Sequence, residues 1–294
     1  MPTTTPKAQP RADMHAFDRS VVLLTHAKTP ITTCLADDLA SRGARLVLHD
    51  QSWNQSDVSA QATDLVLRSN AALESADAAA GLIAETTEHF GTLTTLITGI
   101  PDVDMSDSAF ESAEWGAVIQ RHISEPLNIT RAAVSAMDRE DSASIVNMAS
   151  SAGLLAAPGS LVLSTISAAI LGFNRTLSRK QRESNIAVNA VSPIVQNETG
   201  ASIYGASRLS GDDFAPQEIC AAIAYVCDPQ SGLHGELLSV GGGRFGRYVT
   251  SATPGFFKLE ASVEDIQANI GQVLKTDNAI ELKRAVDELQ FIDV

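Results

Sequence analysis

Short apolar runs alternate with longer stretches of helical period along most of this chain, and that alternation calls for a parallel sheet with crossover helices. Residues 21–24, 45–49, 64–67, 94–97, 144–148, 186–190 and 236–240 form short runs rich in Val, Ile or Leu. Strands buried on both faces have this composition. Between them, 33–42, 76–90, 113–137, 160–183 and 216–227 carry apolar residues at helical spacing. Seven strands separated by helices predict an α/β fold, a doubly wound open parallel sheet. Residues 1–18, polar and proline-containing, read as a flexible N-terminal arm, and 19–244 as the sheet domain. The pattern changes after that: 245–257 look irregular, and 263–274 and 279–289 predict two helices in a C-terminal extension, 245–294.

Charge and residue counts narrow the partners. A net charge of -14 on 294 residues disfavours nucleic acid and anionic membrane, which need a concentrated basic surface. No uninterrupted apolar run reaches the roughly 20 residues of a membrane span, so a soluble protein is expected. Cys34, Cys220 and Cys227 are odd in number and widely spaced, which fits reduced thiols and a cytoplasmic location. The six histidines never fall at ligand spacings such as HxxxH, and no metal site is expected.

Three segments carry a family resemblance: SIVNMASSAGLLAAPGS (144–160), NIAVNAVSP (185–193) and GELLSVGGG (235–243). Together with the element order they resemble the short-chain dehydrogenase/reductase (SDR) family over about 21–243. The resemblance implies a Rossmann-like sheet, an NAD(H) or NADP(H) cofactor, and an Asn, Ser, Tyr, Lys tetrad that moves a hydride to or from a carbonyl carbon. Position by position, this chain departs from it. The family's TGxxxGxG turn uses glycines to let backbone approach the pyrophosphate at a helix N-terminus. His26, Pro30 and Thr32 stand in those places, adding bulk and removing an N–H. Asp50 ends the second strand where the family's ribose-binding acid stands; with the glycines gone it reads as a solvated loop residue. The family's NNAG becomes Thr98, Gly99, Ile100 and Pro101.

In the family's YxxxK, lysine and the cofactor ribose lower the tyrosine pKa so that the phenol exchanges a proton with substrate. Counting from Ser150 puts Leu163 at the tyrosine and Ser167 at the lysine, while His122 takes the asparagine's place. Of the tetrad only Ser150 remains, and alone it supplies neither proton nor hydride; as a turn residue it would cap or pin the strand end. Two substitutes stand in the sequence: Tyr204 and Arg208, spaced like the missing pair but after the sixth strand, and a His122–Ser150 base and nucleophile pair lacking an assignable orienter. Otherwise His122 simply fills the asparagine's space.

The expected function is therefore a catalytically inactive SDR-fold subunit, a pseudoenzyme that binds no cofactor and supports an active homologous SDR subunit in a hetero- or homo-oligomer, dimer or tetramer. Leu161, Val162, Ile166, Ile170 and Leu171 give the long helix at 160–183 an apolar face for such pairing, the alternative being that about half of them are core contacts with the sheet. The segment VGGGRFGRYVTSATPGFF and the tail resemble extensions of bacterial members that handle acyl thioesters, which points to an acyl-CoA-type hydroxy or keto substrate for the complex. Two alternatives remain open: an NAD- or NADP-dependent oxidoreductase with non-standard residues, and a regulatory protein that binds a ligand in the vacated crevice.

Overall fold

The computed structural model describes residues 17–59, 65–100, 111, 113–195 and 214–292. The chain divides into two compact units, one through Gly246 and one from Arg247 onward. The first is built on strands β1 (Val21–Thr25), β2 (Arg45–His49), β3 (Val66–Ser69), β4 (Thr95–Thr98), β5 (Ala143–Met148), β6 (Ile186–Pro193) and β7 (Leu237–Gly241). Their spatial order is β3-β2-β1-β4-β5-β6-β7, extended at the edge by an eighth strand, β8 (Arg244–Tyr248), in which the chain passes from the first unit to the second. Each neighbouring pair from β3 to β7 runs parallel, with Leu23 opposite Val47 and Leu96, and Ile145 opposite Leu96 and Val188.

Side chains alternate across each strand, so one sheet feeds two cores. Val22, Leu24, Val146 and Val191 pack with Leu35 of α1 (Pro30–Ser41) and Ile223 of α6 (Pro216–Cys227). Leu23, Leu96, Ile145 and Val188 pack on the opposite face with Leu82 of α3 (Ala76–Phe90) and Ile129 of α4 (Trp115–Met137). A short α2 (Gln55–Ser59) precedes β3, and α5 (Leu161–Lys180) precedes β6. The helix ends follow local chemistry: Ser75 accepts a hydrogen bond from the Ala78 amide at the start of α3, and Gly91 closes that helix in the left-handed region with φ 80°.

Three expectations need correction. The sheet has eight strands rather than seven, because β8, RFGRY, is a polar edge strand with no apolar run to announce it. The apolar face assigned to α5 for subunit pairing is mostly interior: Val162, Ile166, Ile170 and Leu171 are buried in a cluster with Ala149 and Ala190 of the β5 and β6 region, and only Leu161 is exposed. By length and composition α5 could cross a membrane, yet half of it is buried within the fold. The third correction concerns the second unit. It holds one α-helix, α7 (Val263–Val273), started by a reciprocal Ser262–Asp265 capping box, and an antiparallel pair β9 (Ser251–Ala252) and β10 (Ile280–Glu281). The predicted helix at 279–289 is instead β10 followed by a 3-10 stretch, Ala285–Phe291. Asp287 accepts from the Lys283 and Arg284 amides, and this side-chain bond starts a new turn where a continuous helix would have run.

Candidate functional site

Beyond the carboxyl ends of β1 and β4 the sheet order reverses direction, which opens the crevice where doubly wound folds place their chemistry. Here that crevice is small. Thr25 and His26 from the end of β1, Thr98 and Gly99 from the end of β4, and His122 and Glu125 from α4 line a cavity of about 10 Å³.

The β1–α1 turn accounts for much of the closure. His26 adopts φ 54°, a left-handed conformation that histidine tolerates at some cost. Its Nε2 lies 3.4 Å from Glu125 Oε2. Thr32 donates its hydroxyl to the His26 carbonyl at 2.6 Å, and Pro30 occupies the first helical position behind the Thr29 cap. The backbone amides of the turn are committed internally. Ala27 N–H bonds the His49 carbonyl, Lys28 N–H the Asp50 carboxylate, Thr29 N–H the His26 carbonyl, Thr32 N–H the Thr29 hydroxyl, and Thr33 N–H the Thr29 carbonyl. Only the Ile31 amide of this stretch lacks a protein partner among the described residues. A pyrophosphate needs those donors free and a backbone without side-chain bulk, so this turn does not fit one. Gly99 is required for a different reason: a Cβ there would come within 2.4 Å of the Thr25 carbonyl oxygen.

Asp50 is buried rather than solvated, which corrects the reading from sequence. One carboxylate oxygen accepts from Lys28 N–H at 3.0 Å and the other from the Ser52 amide and hydroxyl. Burial alone would raise its pKa, but these bonds outweigh burial and hold the carboxyl below its ordinary range. It braces the end of β2 against the β1–α1 turn.

Beside it, His49 is buried, with Nε2 2.8 Å from the Ala71 carbonyl. Burial pushes its pKa below the ordinary 6.5 despite that bond. The unfolded chain therefore takes up a proton near pH 6.5 that the folded chain refuses. Stability that is present above pH 6.5 should be lost as the pH falls through that value, by at most about 1.4 kcal/mol per pH unit. Urea unfolding at pH 7.5 and 5.5 should show this loss, and it should shrink in His49→Gln. Equal pH dependence in both proteins would contradict the assignment.

On α4, His122 and Glu125 are one turn apart and both buried. His122 Nδ1 lies 3.8 Å from Glu125 Oε2, while Arg121 donates to Oε1 at 3.2 Å. Burial would raise the Glu125 carboxyl; the close approach of the His122 and His26 rings and their charge overcome it and hold the group well below the usual carboxylate range. Pro126 follows within the helix and has no N–H to offer the His122 carbonyl.

The serine loop lies at the end of β5. Ser150 Oγ accepts from the Ala152 amide, capping the 3-10 turn Ser151–Gly153, and the Ser150 amide donates to Ser167 Oγ at 3.1 Å. Leu163 is buried among Ala149, Val162 and Ile166. Ser167, which counting places at the family's lysine position, contacts the Ser150 backbone through its Oγ hydrogen bond. The structure does not join His122 to Ser150: among the described residues no hydrogen bond links them, and the His122 ring faces His26 at 6.2 Å between centroids. Pro101, Tyr204 and Arg208 lie outside the described residues.

Residues 20–206 match the family described as short chain dehydrogenase. The chain belongs to that family. Among curated members it is similar to 3-oxoacyl-[acyl-carrier-protein] reductase FabG of Escherichia coli K12, 26% identical over 249 residues that cover 78% of this chain and 98% of the relative. The corresponding reductase of Synechocystis is 26% identical over 247 residues, 78% and 98% of the two chains. A short chain dehydrogenase structure from Mycobacterium avium superposes with TM-score 0.72 at 20% identity, covering 87% and 96% of the two chains. A Brucella melitensis 3-ketoacyl-(acyl-carrier-protein) reductase solved with NADH gives 0.67 at 19%, covering 78% and 99%.

For this dehydrogenase-family chain, sequence reasoning located the turn and the serine loop but overlooked Glu125. The signal was present as HISE, a histidine and a carboxylate three apart on one helix face. What sequence could not supply was His26, which reaches the pair from a different element.

Proposed function

We propose that this chain is a short-chain dehydrogenase-family subunit with no dinucleotide-dependent turnover of its own, one that associates with a catalytically intact homologue and supports its assembly. The observation that carries this reading is the β1–α1 turn: its amides other than that of Ile31 are bonded to the protein's own acceptors, and His26 leans on Glu125 across the mouth of the crevice. Leu163, a buried hydrocarbon at the family's proton-donor position, supports it further. The names of the curated relatives, reductases of acyl-carrier-protein thioesters, favour an acyl thioester as the substrate class of the complex.

Titration of the purified chain with NADH and NADPH, followed by nucleotide fluorescence, is expected to give no saturation up to millimolar concentrations. Micromolar binding would overturn the cofactor-free reading. Affinity purification of the tagged chain from its native host is expected to bring down a homologue with an intact glycine turn and YxxxK pair. Recovery of a homo-oligomer alone would overturn the partner assignment and leave the cofactor result standing.

A further inference from the structure

His26, at the end of β1, and His122 and Glu125, on α4, converge on one point. Both imidazoles approach the same oxygen, Glu125 Oε2, at 3.4 Å from His26 Nε2 and 3.8 Å from His122 Nδ1. The ligand atoms of all three residues lie within 4.8 Å of one another. Two donors bound to one zinc ion at tetrahedral angles stand roughly 3.4 Å apart, which the His26 contact with Glu125 already matches, the His122 contact exceeds slightly, and a spread of up to 4.8 Å must still close to reach.

Two further observations set it apart from an ordinary ion pair. Arg121 occupies only Oε1, which leaves Oε2 buried without a properly formed hydrogen bond, and His122 Nδ1 is likewise buried and unpartnered although the residue is only 6% exposed. Buried lone pairs left unmatched are costly and rare. A cation between them would satisfy both at once. The adjoining cavity of about 10 Å³ has the size of a single water-sized probe, room for one small ion or one water but not for an organic ligand.

We infer that His26, His122 and Glu125 bind one divalent ion of the zinc class, with a fourth position open to the cavity. Two imidazoles and a monodentate carboxylate suit zinc or cobalt, whereas calcium and magnesium prefer an all-oxygen shell. Among neighbouring charged and titratable groups, Arg121 sits on the outer Glu125 oxygen, Asp50 is engaged by Lys28 and Ser52, and His49 is held on the Ala71 carbonyl. The ion ties the β1–α1 turn to α4 at the place where family members hold their dinucleotide. Histidine spacing gave no hint of it, because the ligands come from two elements far apart in the chain.

The test uses the full, untagged chain after chelator treatment and dialysis. Calorimetric titration with Zn2+ should show one equivalent bound with micromolar or tighter affinity, and Co2+ should develop the visible absorption of a four-coordinate nitrogen and oxygen site. His26→Gly is the decisive variant, since glycine relieves the left-handed backbone at that position. It should weaken metal binding at least tenfold while melting no lower than the parent in the absence of metal; Glu125→Gln should weaken binding at least as much. Absence of saturable binding, or less than tenfold weakening in His26→Gly, would overturn the site. Neither measurement involves a nucleotide, so a negative result leaves the proposed function untouched.

Discussion

Truncating Ile145 to alanine is expected to lower the unfolding free energy by about 2–5 kcal/mol. Ile145 sits in β5 between β4 and β6, fully buried, opposite Leu96 and Val188. Its side chain packs in the cluster that includes Leu23, Ile129 and Ala133, so deleting three carbons removes transfer free energy and opens a cavity that a sheet covered by helices cannot readily collapse. Leu161→Ala is the matched control. That residue is 49% exposed at the start of α5, and its loss should move stability by no more than about 0.5 kcal/mol. Urea unfolding of the three proteins decides the matter: a loss under 1 kcal/mol in Ile145→Ala would place the core elsewhere.

Gly153→Ala should be almost as damaging, for the opposite reason. An added Cβ would stand 2.6 Å from both the Ala168 amide nitrogen and the Ser167 carbonyl carbon of α5, and backbone atoms cannot rotate away as a side chain can. Overpacking of this kind costs about 1–3 kcal/mol, and the relief available is to lift the serine loop off α5, which breaks the Ser150 amide bond to Ser167. Gly172→Ala, on the same helix, meets nothing within 4 Å and should stabilise the chain by up to about 1 kcal/mol through helix propensity. Opposite signs for two Gly→Ala changes on neighbouring segments would be read directly from melting temperatures; equal signs would contradict the close loop–helix packing.

The sequence made the sheet legible because strands buried on both faces are mostly apolar, as VVLL in β1 is, and as β5 is around Ile145, Val146 and Met148, although its Asn147 is buried on side-chain hydrogen bonds to Thr98 and Asn174. β8 escaped notice because an edge strand is under no such requirement. The stretch 279–289 has helical spacing, yet a single carboxylate, Asp287, redirects its backbone, and periodicity is blind to such local competition. Burial misled in two places. Asp50 was read as solvated because charge usually means exposure, whereas three hydrogen bonds from Lys28 and Ser52 make its burial affordable. The apolar residues of α5 were given to a partner when the chain's own sheet already takes four of the five. At the candidate site, His26, Pro30 and Thr32 could be placed by counting along a strand–turn–helix unit, but the meeting of His26 with Glu125 depends on how β1 and α4 pack, which no local pattern encodes.

Pro126 gives α4 a built-in seam. With no amide at that position, the carbonyl of His122 goes without its ladder partner, and the turns before it, from Trp115, are joined to the remaining length by one bond fewer. The part carrying Ile129 and Ala133 packs in the core on one face of the sheet, while Val118 and Ile119, before the seam, pack against the separate cluster of Ala149, Leu163 and Ile166. Because His122 and Glu125 sit at that seam, the two residues that face His26 stand where the helix is held by one ladder bond fewer.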